Sequence, residues 1–138
     1  MKRIGVTILL FFSSLFLLAM GDLGGSATPS KIPMPEKNFS ARVLDRQDLQ
    51  TLLSQFSHEG KVYLAGKLGN AVVTVPFEKI LQIQFLAGKG KDVSAKVSMK
   101  DQKQIEILVD GRSKFFGQAE FGTFQIEAKD LKAILFQP

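Results

Sequence analysis

The sequence predicts an all-β protein, a single domain built from two duplicated antiparallel β-units that share one core as a sandwich or barrel. Three observations predict this class. Apolar and polar residues alternate in several short segments, which is typical of strands with one buried face. The same order of strands and glycines occurs twice between residues 39 and 136. The length of 138 residues suits one domain.

The internal repeat sets the expected organisation of the domain. Repeat one covers residues 39–85, repeat two covers residues 93–136, and residues 87–92 form an exposed linker between them. A unit of about 45 residues buries too little surface to be stable alone, so the two repeats should share a core. The matched positions near the repeat ends are Ile80 with Leu131, Ile83 with Ile134 and Phe85 with Phe136.

Local patterns predict the individual elements of each repeat. Alternation over residues 104–110 directs Ile107 into the core and Glu106 to solvent. The Asp110-Gly111 dipeptide between apolar segments predicts a two-residue hairpin turn. Residues 77–80 and 128–131 each resemble one helical turn that brings an aliphatic side chain into the core before the last strand of its repeat.

One segment fits two structures. Residues 45–56 carry leucines and a phenylalanine at helical spacing, with Asp45 as a candidate N-cap. Equivalence with the second repeat favours a strand in which Leu49, Thr51 and Leu53 alternate. We predict the strand, and the helix remains the alternative.

The start of the chain is typical of an export signal. A short cationic stretch is followed by an apolar run and then by small residues, which predicts a signal peptide over residues 1–21, with cleavage after position 21 or as late as position 27. Residues 22–37 are rich in Gly, Ser and Pro and predict a linker. Residues 38–138 then form the β-domain. We expect an exported protein, periplasmic or extracellular, that is membrane-bound only if the signal segment remains uncleaved.

Composition excludes most catalytic chemistries. The chain has no cysteine and one histidine, His58, which we expect to be solvated on a polar turn. No nucleotide-binding or hydrolase motif is present, so we expect no catalytic, cofactor-binding or metal-binding residues, no cofactor and no enzyme. The carboxylate pairs Asp45 with Asp48 and Glu127 with Asp130 leave a hydrolase as a remote alternative. The formal net charge of +5 is spread along the chain, which does not indicate nucleic-acid binding.

Several motifs carry a resemblance to known sequences. The segment FSARV, then GKVYLAGKLG, VTVPFEKI and IQF, resembles a group of small, uncharacterised, exported bacterial β-rich proteins over residues 39–136. The resemblance implies a bacterial periplasmic or envelope location and brings no activity. Residues 73–83 are also similar to the corresponding part of small SH3-like and Sm-like barrels, an analogy of fold alone.

Apolar residues on both faces of the sheet suggest what such a domain does. Neighbouring apolar residues such as Phe115-Phe116 place side chains on both faces, of which the second is either covered or a contact surface. We expect a non-catalytic exported β-domain that binds an envelope component or an unidentified protein partner. The alternative is a polysaccharide or small-ligand binding module that uses the exposed aromatic residues Tyr63, Phe115, Phe116 and Phe121.

Overall fold

Ten strands form one curled, entirely antiparallel sheet in the computed structural model, which describes residues 32–87 and 90–138. The predicted all-β class is therefore confirmed. The predicted signal peptide, its two cleavage positions and residues 22–31 of the predicted linker lie outside the described residues. No helix in the described part of the chain is long and apolar enough to cross a membrane.

The strands fall into two sets of five. The first set comprises β1 (Ala41–Asp45), β2 (Gln50–His58), β3 (Tyr63–Leu68), β4 (Ala71–Pro76) and β5 (Ile80–Leu86). The second set comprises β6 (Asp92–Met99), β7 (Gln104–Asp110), β8 (Lys114–Ala119), β9 (Gly122–Glu127) and β10 (Leu131–Phe136). A 3-10 turn precedes the last strand of each set, at Phe77–Lys79 and Ala128–Asp130. The predicted linker of residues 87–92 is thus one residue too long, because Asp92 begins β6.

The sheet has a pseudo-twofold order. Its strands follow the sequence β4-β3-β7-β6-β5-β10-β1-β2-β8-β9, which is unchanged when the two sets are exchanged and the order reversed. The axis passes between β5 and β10, where Ile83 pairs with Ile134 as the matched sequence positions require. The two sets therefore share one architecture, and their origin by duplication stays a prediction.

Backbone hydrogen bonds outside the ladders repeat in the same way. Phe77 N donates to Val62 O at 3.0 Å at the first 3-10 turn, and Ala128 N donates to Ser113 O at 2.8 Å at the second. The turns after β1 and β6 each use one residue with positive φ, Asp48 (64°) and Gln102 (74°). The two sets thus agree at these turns as well as in strand order, and they differ at the bulge near Gln55 and in the loops of the two hairpins.

The hairpin of each set pairs with a strand of the other set. The β3–β4 hairpin pairs with β7 of the second set, and the β8–β9 hairpin pairs with β2 of the first. Glycines permit these close joins, since a Cβ at Gly66 would lie 2.5 Å from Leu108 O and one at Gly117 would lie 2.9 Å from Leu53 Cβ. Neither set has its full complement of neighbours without the other.

One core lies under the curled sheet. Its aromatic centre is Phe56, whose ring lies 5.6 Å from Phe77, 5.6 Å from Phe115 and 5.7 Å from Phe136, measured between centroids. Ile80 and Leu131 are both fully buried directly after the 3-10 turns, as predicted. Each buried aliphatic or aromatic side chain contributes about 1.5–3 kcal/mol relative to exposure.

The strand predicted over residues 45–56 is confirmed, although its boundaries and alternation differ from the prediction. The strand begins at Gln50, so Leu49 lies before it and is 63% exposed, whereas Leu53 is buried. A register shift near Gln55, whose φ is 51°, then brings Phe56 to the core face. The bulge explains the helical spacing of the apolar residues, because an extra residue interrupts the period of two.

The hairpin predicted at Asp110-Gly111 is wrong. The strands before and after this dipeptide, β7 and β8, do not pair, because β8 joins β2 of the other set. The Asp110 carboxylate instead accepts a hydrogen bond from Arg112 N at 2.9 Å. This bond stabilises a turn at which the chain leaves β7 and heads towards β2 of the first set. Gly111 is required by close packing, since an added Cβ would lie 2.6 Å from Lys91 O.

The strand register makes a prediction about stability. Ile107 is 1% exposed and pairs with Ala95, whereas its neighbour Glu106 points to solvent. Ile107→Ala should lower the free energy of unfolding by about 2–5 kcal/mol through lost burial and a cavity. Glu106→Ala should cost well under half as much in the same denaturant titration, and equal losses would contradict the register.

Candidate functional site

The structure does not bring the four predicted aromatic residues together. Phe115 is fully buried and Phe116 is 8% exposed, so their prediction as exposed binding residues is wrong. The reason is that β8 is an interior strand between β2 and β9, where alternation places Phe115 in the aromatic core and Phe116 opposite Ser57. Sequence alternation alone could not indicate that both faces of this strand are covered.

Tyr63 and Phe121 line different depressions. Tyr63 is half-buried at the start of β3, beside Met34 and Glu36. Phe121 stands in the loop of the β8–β9 hairpin and is 78% exposed. Of the four predicted residues, Phe121 is therefore the one available to a large partner.

An apolar depression surrounds Phe121. It has a volume of about 490 Å³ and is bordered by Leu49 and Leu52 on the β2 side and by Phe121 and Phe124 on the hairpin side. Leu49 is 63% exposed and Leu52 is 57% exposed, which is high for leucine. Contiguous exposed apolar side chains are typical of interaction sites. We call these four residues the Phe121 patch.

The pseudo-twofold order provides an internal comparison for the Phe121 patch. Lys103 precedes β7 as Leu49 precedes β2, and Glu106 is the third residue of β7 as Leu52 is of β2. Asn70 is the second loop residue of the β3–β4 hairpin, as Phe121 is of the β8–β9 hairpin. These three counterparts are charged or polar, whereas the counterpart of Phe124 is the apolar Val73, so the strand order does not require apolar residues at Leu49, Leu52 and Phe121.

His58 is buried, against the prediction that it is solvated. The last residue of β2, it is 4% exposed and stacks on Phe115 with 4.4 Å between ring centroids. Its Nε2 lies 2.9 Å from Ser113 Oγ, and its Nδ1 accepts a bond from Ala65 N at 3.3 Å. Burial lowers the pKa of His58 from 6.5 to about 4, against an opposing effect of the Asp110 carboxylate.

The bonding pattern around His58 defines a structural role. Because Nδ1 accepts the Ala65 N–H, the neutral ring carries its proton on Nε2 and donates it to Ser113 Oγ. Ser113 Oγ in turn donates to Asp110 O at 2.6 Å. In a serine nucleophile the imidazole must instead accept the hydroxyl proton. The network therefore joins β2 and β3 to the segment before β8 and does not activate Ser113.

The carboxylate pairs considered for hydrolysis make local contacts. Asp45 accepts bonds from the backbone N–H groups of Gln47 at 2.8 Å and Leu49 at 3.0 Å, which stabilises the turn after β1. Asp48 pairs with Lys132 and Glu127 with Lys129. Among the described residues, no three acidic or histidine side chains lie close enough together to hold a metal ion.

The fold and these sites define an all-β, single-sheet domain with an internal structural repeat. The chain belongs to a family described as "Uncharacterised protein", whose sequence model matches residues 35–138. A relative from Aquifex aeolicus (strain VF5), described as "Uncharacterized protein", is 28% identical over 130 residues, which are 94% of this chain and 94% of the relative. No solved structure matches the chain. The resemblance to uncharacterised bacterial proteins is thus confirmed, while export stays a prediction.

The burial of His58 makes stability depend on pH. Between pH 6.5 and about 4 the unfolded chain binds a proton that the folded chain does not, so stability falls as pH falls through this range. Between pH 7 and 4.5 the free energy of unfolding should drop by about 2 kcal/mol more in the wild type than in His58→Gln. Denaturant titrations at both pH values measure this difference, and equal drops would contradict it.

Proposed function

We propose that the chain is a non-catalytic, exported β-domain that binds a protein partner through the Phe121 patch. The observation that carries the proposal is the apolar depression of about 490 Å³ bordered by Leu49, Leu52 and Phe121, three strongly exposed side chains. Covering such side chains releases about 25 cal/mol per Å² of apolar surface. An exposed aromatic residue among aliphatic neighbours is the composition typical of the energetic centre of a protein interface.

A protein partner fits the patch better than a polysaccharide does. Two of the four aromatic residues that a sugar-binding surface would need, Phe115 and Phe116, are buried. Two of the residues that border the depression are leucines, which offer no hydrogen bond to a sugar hydroxyl. Gln50, Thr51 and Glu120 also line the depression and can bond sugar hydroxyls. The preference for a protein therefore rests on the three strongly exposed apolar side chains, Leu49, Leu52 and Phe121, which gain from an apolar partner surface.

Export is the second part of the proposal. It is supported by the cationic, apolar and small-residue order of the first 27 residues. The absence of cysteine from the chain is compatible with an oxidising compartment, since no thiol is left to react there. The partner would then be a periplasmic, envelope or extracellular protein.

The patch predicts a selective loss of partner capture. Immobilised protein should capture a specific partner from the envelope fraction of its host, and Phe121→Ser should weaken binding by about 30-fold, because a central interface aromatic contributes about 2 kcal/mol or more. Asn70→Ser, at the counterpart position in the other hairpin, is the matched control and should bind like the wild type. Equal capture by the wild type and Phe121→Ser in titrated pull-downs would contradict the proposal.

Export predicts a shortened chain outside the cytoplasm. Fractionation of the host followed by intact-mass measurement should find a protein that begins at residue 22 or residue 28. A cytoplasmic protein that retains Met1 would refute this part of the proposal and leave the capture result unaffected.

A further inference from the structure

The sheet has two free edges, β4 and β9, at opposite ends of the strand order. Phe77 N donates to Val62 O, which fixes the alternation of hydrogen bonds along the β3–β4 ladder. By this alternation the N–H and C=O groups of Val73 and Val75 face β3, and those of Val72 and Thr74 face away from it. Within the described residues, Val72 and Thr74 make no backbone hydrogen bond beyond the ladders. The outer side of β4 therefore offers an unpaired row of donors and acceptors.

Edge β4 lacks the features that usually prevent strands from pairing. Its six residues, AVVTVP, include no charge, and β-branched residues occupy four of the positions. Its only protective residue, Pro76, stands at the end of the strand. The counterpart edge β9 carries Thr123 where β4 carries Val72, and ends in Glu127 where β4 ends in Pro76.

On the outer face of the sheet near this edge, two exposed apolar side chains flank the cation of Lys67. Val72 is 77% exposed, and it pairs with Lys67, which pairs in turn with Leu108, 45% exposed. The counterparts of Val72 and Leu108 are Thr123 on β9 and Ser54 on β2, both polar. The fold does not demand these two apolar residues, so the side chains, and not the backbone, distinguish β4 from β9.

We infer that β4 pairs with β4 of a second copy of this chain, forming a twofold dimer with one continuous antiparallel sheet. The charge of the chain favours a second copy as the partner and β4 as the edge that it pairs with. A protein with a formal net charge of +5 repels its own copies over most of its surface, and β4 itself adds no charge to a contact, with Lys67 on β3 as the nearest cation paired to it. Twofold pairing of β4 with β4 uses the same edge of both copies and closes at a dimer, whereas pairing β4 with β9 leaves one free edge of each kind and continues into a filament.

The backbone fixes the register of the proposed pairing. With the axis at Val73, the outward N–H and C=O groups of Val72 meet those of Thr74 in the second copy, and the two Val73 residues face each other as a non-hydrogen-bonded pair. Pro76, which has no N–H, falls outside this ladder. The exposed Val72 side chain is then covered by Thr74 of the second copy, since directly opposite residues share a face.

Sedimentation velocity of the intact chain over a range of concentrations tests the dimer. Wild type and Thr123→Lys, the matched variant on β9, should sediment as dimers. Val72→Lys should sediment as a monomer or dissociate at least about 10-fold more readily, because it places two cations near the twofold axis. Any association through residues 1–31 is common to all three proteins. A monomeric wild type, an unchanged Val72→Lys, or equal losses in both variants would overturn the inference.

A cysteine cross-link tests the register independently of that variant's folding. The natural chain contains no cysteine, so Val73→Cys introduces the only thiol. Opposed residues at a non-hydrogen-bonded position have Cα atoms about 4.5 Å apart, within the range of a disulfide. Mild oxidation with copper-phenanthroline should link Val73→Cys into covalent dimers and leave Thr123→Cys mostly monomeric. Failure of Val73→Cys to cross-link, or equal cross-linking of both variants, would overturn the proposed pairing.

Discussion

The ladder between β5 and β10 is the constraint on which the rest of the structure depends. Both strands end their sets, and Ile83 pairs with Ile134 at the pseudo-twofold axis, where both side chains are fully buried. β1, the first strand of the first set, pairs with β10 on the outer side of this ladder, and β6, the first strand of the second set, pairs with β5. The first strand of each set therefore lies beside the last strand of the other set. Pairings such as Ala41 with Phe136 close very long loops. Four of the nine ladders join strands that are far apart in the sequence, and the sheet is complete only when these distant pairings have formed.

The hairpin of each set pairs with a strand of the other set, so the two sets form a single cooperative unit. The joins require the backbones to approach at Gly66 and Gly117, where a side chain would collide with the opposite strand. The core is filled unequally across the axis, since the first residue of the 3-10 turn is Phe77 in one set and Ala128 in the other, both buried. The two sets share a backbone plan but are not interchangeable in packing, and His58 adds a polar network on one side of the axis.

The sequence was most informative where the alternation of apolar and polar residues follows the period of two of a β-strand. Alternation and the paired I-x-F endings predicted the strands and the burial of Ile83, Ile134 and Ile107, because burial on one face of a strand follows directly from the period of two. The 3-10 turns were predictable for a related reason, since each interrupts that period just before a buried aliphatic residue. Strand alternation and 3-10 turns are both set by residues that are close together in the sequence.

Predictions failed where distant strands decide the environment. His58 looks like part of a polar turn, yet Phe115, Ser113 and Ala65 enclose it, and these residues come from elements later in the chain. The Asp110-Gly111 dipeptide has the composition of a hairpin, but the strand that follows it joins the other set. For the candidate site, the sequence indicated Phe121 and missed Leu49 as an exposed residue, because Leu49 lies in the turn before β2 and not in the strand, a boundary that the alternation does not show.

The repeated architecture allows surface residues to be interpreted without any other sequence. Two positions related by the pseudo-twofold axis have the same place in the strand order, although the local backbone differs in the hairpin loops, where the positive φ falls on Gly69 in one and on Gly122 in the other. Phe121 against Asn70 and Val72 against Thr123 are differences between such positions, and in each pair the apolar residue is more than three-quarters exposed. An exposed apolar side chain adds nothing to the stability of the isolated domain and increases the tendency to aggregate. We therefore propose that such a residue on one side of the pseudo-twofold axis marks a contact that only that side makes.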